Sequence, residues 1–386
     1  MGRPRILMAS PNYWSSPFQV GSHHLARGFV AAGWDVAFVS DPISPLHLAL
    51  RRTQELRDRA AISRSGGITD LDGHLWAYVP FALATPRGSP LLNSLWLHRN
   101  WSRLTMPNVV GKVRQRGFGE VDVLYFDSSI QRFWLDAIGH RRSVLRVADR
   151  NTGFVHHTDA MAVLQRELAQ GSDLVVHAGR SLEPDVMAMG ARRAFHLPNG
   201  VDFAHYATGD RSLPADLAAI PRPIAAYVGA IEDWFDFDTV NRLVSSLPAV
   251  SFVIIGPEGL ARRRLTPRRN LYILGRRPYE QLPRYLHNVD VGLIPFDVIG
   301  HRELVRGVHP LKLYEYLACG LPVVATDWEE LAGLGSPAIL CRTPNEFIAG
   351  VRKAISEPRD GPAALAFARG ADWSERTRAL IDQLGI

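Results

Sequence analysis

The segment HPLKLYEYLACGLPVVAT, His309 to Thr326, sets Lys312 three residues before Glu315 on a helical pattern that runs into Gly-Leu-Pro and an apolar strand. At that spacing the two side chains share one helix face. The pair is therefore either a surface ion pair, worth about 0 to 1 kcal/mol, or part of a ligand site. Three other places carry reactive types. Asp149 closes SVLRVAD, where a carboxylate could take a proton, cap the following turn or pair with Arg146 or Arg150. His23 and His24 stand at the start of a helical pattern, as rival bases or as packing and capping residues. The DFD at 236 to 238 imitates a metal-binding pair of carboxylates, but it follows a strand and precedes VNRLVSSL, so Asp236 is expected to be a helix N-cap.

The elements that must hold these residues follow a repeated plan. RILMAS reads as a strand, HHLARGFVAAG as a helix with Leu25, Phe29 and Val30 on one face, and WDVAFVS as the next strand. VDVLYFD, SVLRVAD, DLVVHAG and AFHLPNG continue the series. The Pro-rich RSLPADLAAIPRPI is the candidate linker. A second series then runs AAYVGAI, SFVIIGP, NLYILGR, DVGLIPF, LPVVATD and AILCR. Strands alternating with helices predict an α/β chain of two doubly wound, Rossmann-like parallel sheets facing one another, with ligands at the carboxyl ends of the strands. The expected division is 1–205, 206–365, and a closing helix in 366–386 that packs back on the first domain.

The chain has 386 residues, enough for two domains, and its 46% apolar and 21% charged composition is that of a globular protein. Cys319 and Cys341 show no metal or disulfide spacing and read as reduced residues, which favours the cytoplasm. The first residues look too short in apolar content for a secretory segment, and no run reaches the roughly 18 apolar residues of a membrane span. A net charge of +6 implies an anionic partner. No zinc-finger, RNP-like or helix-turn-helix pattern accompanies it, so nucleic acid is not expected. Nor is a nicotinamide cofactor, since GxGxxG is absent.

Three segments in order, GSHHLARGFVAAGWDVAFVS, HLPNGVD and PLKLYEYLACGLPVVAT, make the chain resemble the GT-B glycosyltransferases, and within them the family-four-like, group 1 enzymes. A fainter likeness to the xanthan-type bacterial glucuronosyltransferase runs through SVLRVADRN, YVGAIEDWFDFD and LKLYEYLACG. The resemblance implies a nucleotide diphosphate sugar as co-substrate, with uridine the commonest base, and no other cofactor. On that reading Lys312 supplies a point charge to the diphosphate. Glu315 accepts from the ribose hydroxyls, and the turn formed by His309, Pro310 and Leu311 adds a helix N-terminus. Gly229 and Ala230 let backbone approach the donor; the alternative for Gly229 is a simple turn glycine. Gly21, with His23 beside it, resembles the family's glycine loop.

Many retaining relatives have an acidic residue eight positions before the ribose-binding glutamate; here that position is Gly307. The departure favours an inverting enzyme with Asp149, which matches the aspartate assigned as base in the xanthan-type enzyme. A retaining transferase and a sugar-nucleotide epimerase stay as alternatives, and a donor-binding protein without turnover as a third. Arg306 could serve a uronic acid donor or be a solvated charge, as could Arg302. No metal is expected, Lys312 and the helix terminus taking its place. Residues 87–117 carry six basic and no acidic side chains among Leu91, Leu92, Leu95, Trp96 and Trp101. That composition suits an anionic inner-leaflet surface and a lipid-linked or glycan acceptor, or else an amphipathic helix with a basic outer face.

Overall fold

In a computed structural model, residues 2–50, 53–86, 92–150, 158–357 and 360–386 are described. The chain forms two compact units, one of residues 1–198 with 376–386, the other of residues 199–375. Each is built on its own sheet.

Among the described residues the first unit has eight strands: β1 (Arg5–Ser10), β2 (Asp35–Ser40), β3 (Ile68–Asp70), β4 (Leu75–Tyr78), β5 (Glu120–Phe126), β6 (Gly139–Val147), β7 (Leu174–His177) and β8 (Ala194–His196). They lie in the order β3-β4-β2-β1-β5-β6-β7-β8. All pair in parallel except β3, which runs antiparallel on the edge beside β4. The central strands are buried on both faces, as expected of a parallel sheet covered by helices. Helix α1 (Gly21–Ala31) follows β1, and α2 (Pro45–Leu50) and α3 (Gln54–Arg64) follow β2. The last helix, Trp373–Leu384, supplies Thr377, whose hydroxyl oxygen lies 2.1 Å from where a Cβ on Gly28 would stand. A residue without a side chain is what lets that helix seat against α1.

Among its described residues the second unit has six parallel strands: β9 (Ile224–Val228), β10 (Ser251–Ile255), β11 (Leu271–Ile273), β12 (Val291–Ile294), β13 (Val323–Thr326) and β14 (Ile339–Cys341), in the order β11-β10-β9-β12-β13-β14. The strand order runs outward in opposite senses on either side of the β9–β12 boundary, so the loops after these two parallel strands form the switch point at which doubly wound sheets bind ligands.

Two expectations change. The stretch at 211–224 is not a linker: Leu217 and Ile220 are buried in the core of the second unit, and Asp216 is held by Arg277 and by the Tyr285 hydroxyl at 2.9 Å. The division lies at 198/199 instead of 205/206, because Val201 and Tyr206 belong to that same core. At the other end the first unit resumes at 376, and the helix Gly361–Arg369 stays with the second.

Candidate functional site

In the second unit, helix Leu311–Ala318 carries both Lys312 and Glu315. Pro310 is its N-cap, and since proline has no N–H it contributes no donor there. Leu311 and Leu313 open the helix, where N–H groups lack intrahelical partners. The helix is tied to the sheet by Tyr316, whose hydroxyl accepts from the Val228 N–H at 2.8 Å and whose ring fills the space a side chain on Gly292 would take. On its other flank, the Asn199 side-chain amide donates to the His309 carbonyl at 2.7 Å. The His309 ring is buried and stacked on Tyr314 at 5.5 Å.

This anchoring puts Lys312 over the end of β9. Its ammonium lies 5.2 Å from the Tyr227 ring centre and 5.5 Å from that of Phe296. A Cβ on Gly229 would stand 2.6 Å from Lys312 Cε and 2.8 Å from Nζ, and Gly229 has φ +146°. Only glycine meets both conditions. The Gly229 N–H donates to Ile255 at 2.9 Å, and the Tyr227 hydroxyl donates to the Ala230 carbonyl. Gly256 completes the arrangement: its own Cβ would lie 2.1 Å from the Gly229 carbonyl oxygen.

Glu315 is half-buried, one turn further along the same helix. Burial pushes its carboxyl above the usual carboxylate range, opposed by the charge of Lys312 and by the nearby Tyr206 hydroxyl. Lys312 and Glu315 are thus not an outward ion pair. Lys312 stands over a glycine-lined strand end at the switch point, and Glu315 lies in the field of Lys312 and beside Tyr206. Phe296 stacks on Trp328 at 5.4 Å, and beyond Trp328 lies a cavity of about 210 Å³ lined by Arg302, Arg306, Asp327 and Glu329.

The first unit gathers a second cluster at the carboxyl ends of β1, β5 and β6. Arg146, with its side chain 4% exposed, pairs with Asp127 at 3.4 Å. The Tyr125 hydroxyl donates to Asp127 at 3.3 Å, and Ser10 and Ser22 share a hydrogen bond beneath. Burial pushes the Asp127 carboxyl up against the pull of Arg146. Desolvation works to lower the Arg146 pKa, but Tyr125, Asp127 and Asp149 together raise it above the ordinary value. Asp149 lies two residues past β6, half-buried, in the field of Arg146. Arg150 pairs with Asp185 at 2.5 Å.

Gly21 opens α1, and a Cβ there would lie 2.6 Å from an Arg146 guanidinium nitrogen. Its lack of a side chain makes room for arginine. His23 is fully buried. Its Nδ1 accepts from the Val20 N–H at 3.2 Å, which leaves the proton on Nε2, 3.0 Å from the Tyr13 carbonyl oxygen that accepts it. Desolvation, chiefly, lowers its pKa to about 4. With both nitrogens engaged and its ring packed on Trp14 and Phe38, His23 closes the start of α1; it is a capping and core residue here. His24 is buried as well. Asp236 caps helix Phe237–Ser246 through the Thr239 N–H at 2.8 Å, as its position predicts. No cluster of His, Cys, Asp and Glu suited to a metal occurs among the described residues.

The basic segment at 87–117 divides. Arg87 and Leu91 lie outside the described residues. Trp101 is core, its indole N–H donating to Ile130 at 2.7 Å, and Arg99 pairs with Glu167, whereas Trp96 is 64% exposed. Arg146 was named in the sequence only as a partner for Asp149 and Asn199 only within HLPNGVD, while Asp127, Tyr125, Tyr206 and Gly256 were not singled out. An arginine inside the apolar run VLRV was the available signal.

Comparison with known proteins agrees with this architecture. The model of the N-terminal domain of the glucuronosyltransferase GumK matches residues 8–178, and that of the group 1 glycosyl transferases matches residues 222–357. TuaH of Bacillus subtilis (strain 168), named as a teichuronic acid biosynthesis glycosyltransferase, is 23% identical over 237 residues. The match spans little more than half of each protein, 57% of this chain and 58% of TuaH. Among solved structures, Anabaena Alr3699/HepE in complex with UDP and glucose aligns with a TM-score of 0.66 at 15% identity, over 99% of this chain and all of the other. Sucrose-phosphate synthase from Thermosynechococcus elongatus aligns at 0.64 and 14% identity, over 98% and 95% of the two chains. The α,α-trehalose 6-phosphate synthase of Burkholderia multivorans aligns at 0.64 and 13%, over 100% and 98%. These likenesses concern the fold, which is GT-B.

Proposed function

We propose that this chain, whose two halves match the GumK N-terminal domain model and the group 1 glycosyl transferase model, is a glycosyltransferase that moves a sugar from a uridine diphosphate sugar to a hydroxyl of a lipid-linked or polysaccharide-precursor acceptor. The observation that carries the donor half is the placement of Lys312 against Gly229 at the switch point of the second sheet, with Glu315 in its field. Lys312 and the start of its helix neutralise the diphosphate, and Glu315 accepts from the ribose hydroxyls. The HepE complexes with UDP and with UDP-glucose support a uridine donor in this fold.

The transfer is read as inverting. Asp149 takes the proton of the acceptor hydroxyl as its oxygen attacks the anomeric carbon, and the bond from that carbon to the diphosphate oxygen breaks on the opposite side. The charge of Lys312 stabilises the departing diphosphate, so no metal is required. Gly307, where many retaining relatives have an acid, supports this over the retaining alternative. A glucuronate donor is supported by Arg302 and Arg306 around the cavity beyond Trp328. No helix among the described residues is long and apolar enough to cross a membrane. The proposed location is the cytoplasm, with peripheral contact to the inner leaflet through the basic first unit.

The test is thermal stabilisation by UDP, UDP-glucose and UDP-glucuronate. A donor at about 100 times its dissociation constant adds about 2.7 kcal/mol. Lys312→Ala should remove that gain. Asp149→Asn should keep it and abolish turnover, and the product's anomeric configuration, read by NMR coupling constants, should be opposite to that of the donor. Donor binding untouched by Lys312→Ala would refute the site, and full activity in Asp149→Asn would refute the base.

A further inference from the structure

The first unit contains a cavity of about 550 Å³ that the donor chemistry does not use. Its volume is in the range of small-molecule sites. It lies past the carboxyl end of β2, beneath α2 and α3, where Ile43 pairs with Phe81 as an isolated bridge. The wall is apolar, made by Ile43, Leu48, Leu56, Phe81 and Met106. Leu48 and Met106 are 38% and 62% exposed, and Leu46 and Leu83, also exposed, lie close in sequence to these walls. A globular chain does not normally leave several large apolar side chains in water beside an apolar hollow.

Charge narrows the occupant. Arg57 and Arg64 both line the cavity, and no carboxylate among the described lining residues does. The acids of α3 are engaged elsewhere, Glu55 with Arg59 and Asp58 with Gln54. Arg64 uses one nitrogen on the Ala60 carbonyl at 3.1 Å, and neither guanidinium forms an ion pair among the described residues. An apolar hollow with two guanidinium groups at its edge matches a hydrocarbon chain that ends in an anion, since arginine binds phosphate through two parallel donors.

We infer that this cavity takes one acyl chain of an anionic lipid, with its phosphate on Arg57 and Arg64. The site would give the proposed membrane contact a specific foothold. It does not depend on donor binding, which is read separately by the UDP-sugar thermal shift.

The probe is lauroyl-lysophosphatidylglycerol below its micelle concentration, measured by calorimetry on the full chain. Monolaurin serves as the same chain without phosphate, and glycerol phosphate as the headgroup without a chain. Expected results are binding of one lysolipid per chain, and an affinity that rises about fourfold per added methylene from octanoyl to lauroyl. Ser63→Phe, which fills the cavity, should weaken binding at least tenfold, as should Leu48→Asp at a partly exposed position of the wall. Arg57→Ala with Arg64→Ala should weaken the lysolipid tenfold or more while changing monolaurin less than twofold. The inference is overturned by absence of lysolipid binding, by glycerol phosphate binding as tightly as the lysolipid, or by unchanged binding in folded Ser63→Phe and Leu48→Asp.

Discussion

Gly229→Ala is the substitution that most directly tests how the second unit is built. The new methyl group would occupy a point 2.6 Å from Lys312 Cε and 2.8 Å from Nζ, at a residue whose φ is +146°. The two consequences separate. The ammonium end of a lysine is flexible and can swing away, so the clash costs little stability; the backbone conformation costs about 1–3 kcal/mol in a residue with a side chain. For ligand binding the order reverses. If Lys312 contacts the diphosphate from its present position, displacing it removes a charge-assisted hydrogen bond worth about 1.5–3 kcal/mol, or roughly 10- to 150-fold in dissociation constant. Lys312→Ala should show the same loss. In the double variant there is no lysine left to displace, so its binding should match Lys312→Ala alone, with a coupling energy nearly equal to the single effect. The assay is calorimetric titration with UDP for the wild type, both single variants and the double, with urea unfolding in parallel. Additive losses in the cycle would show that Gly229 and Lys312 act independently and would refute the argument.

Other tests address the remaining residues. His23 is held neutral down to about pH 4, whereas the unfolded chain takes up that proton near 6.5. Between those values the unfolded state binds more protons, so stability falls as pH falls through the window, by about 3 kcal/mol at its lower end. Urea unfolding of the first unit's signal from pH 7 to pH 4 should show a loss that is smaller in His23→Gln, and nitrogen NMR should find the proton on Nε2. Gly21→Ala drives a methyl group into the buried Arg146 guanidinium, which Asp127 pins at 3.4 Å; a loss of about 1–3 kcal/mol is expected, and an unchanged melting temperature would refute the packing. Glu315 has a raised pKa, so if it accepts from ribose in its ionised form, UDP affinity should begin to fall at a higher pH than an ordinary carboxylate would give. Glu315→Gln should flatten that dependence.

Much of the fold was legible because parallel strands covered on both faces are short apolar runs, and helices between them have their own period. RILMAS, VDVLYFD, SFVIIGP and LPVVATD could hardly be anything else, and all are strands. β3 and β4 escaped: ITD is three residues long and mostly polar on an edge, and LWAY adjoins further apolar residues that continue past the strand. The prolines of 211–224 suggested a linker, but whether Leu217 and Ile220 have a core to enter depends on strands distant in sequence.

The sequence by itself determined the order of the strands and helices along the chain, the shared helix face of Lys312 and Glu315 and the capping role of Asp236, because each rests on spacing within about ten residues. Only the tertiary structure decided that Gly229 makes room for Lys312, that Gly21 makes room for Arg146 and that His23 is sealed in the core. These depend on atoms brought within a few ångströms from separate strands and helices. A glycine or histidine has the same letter whether it faces water, a ligand or a buried guanidinium; its neighbours, supplied by the packed sheets, settle which.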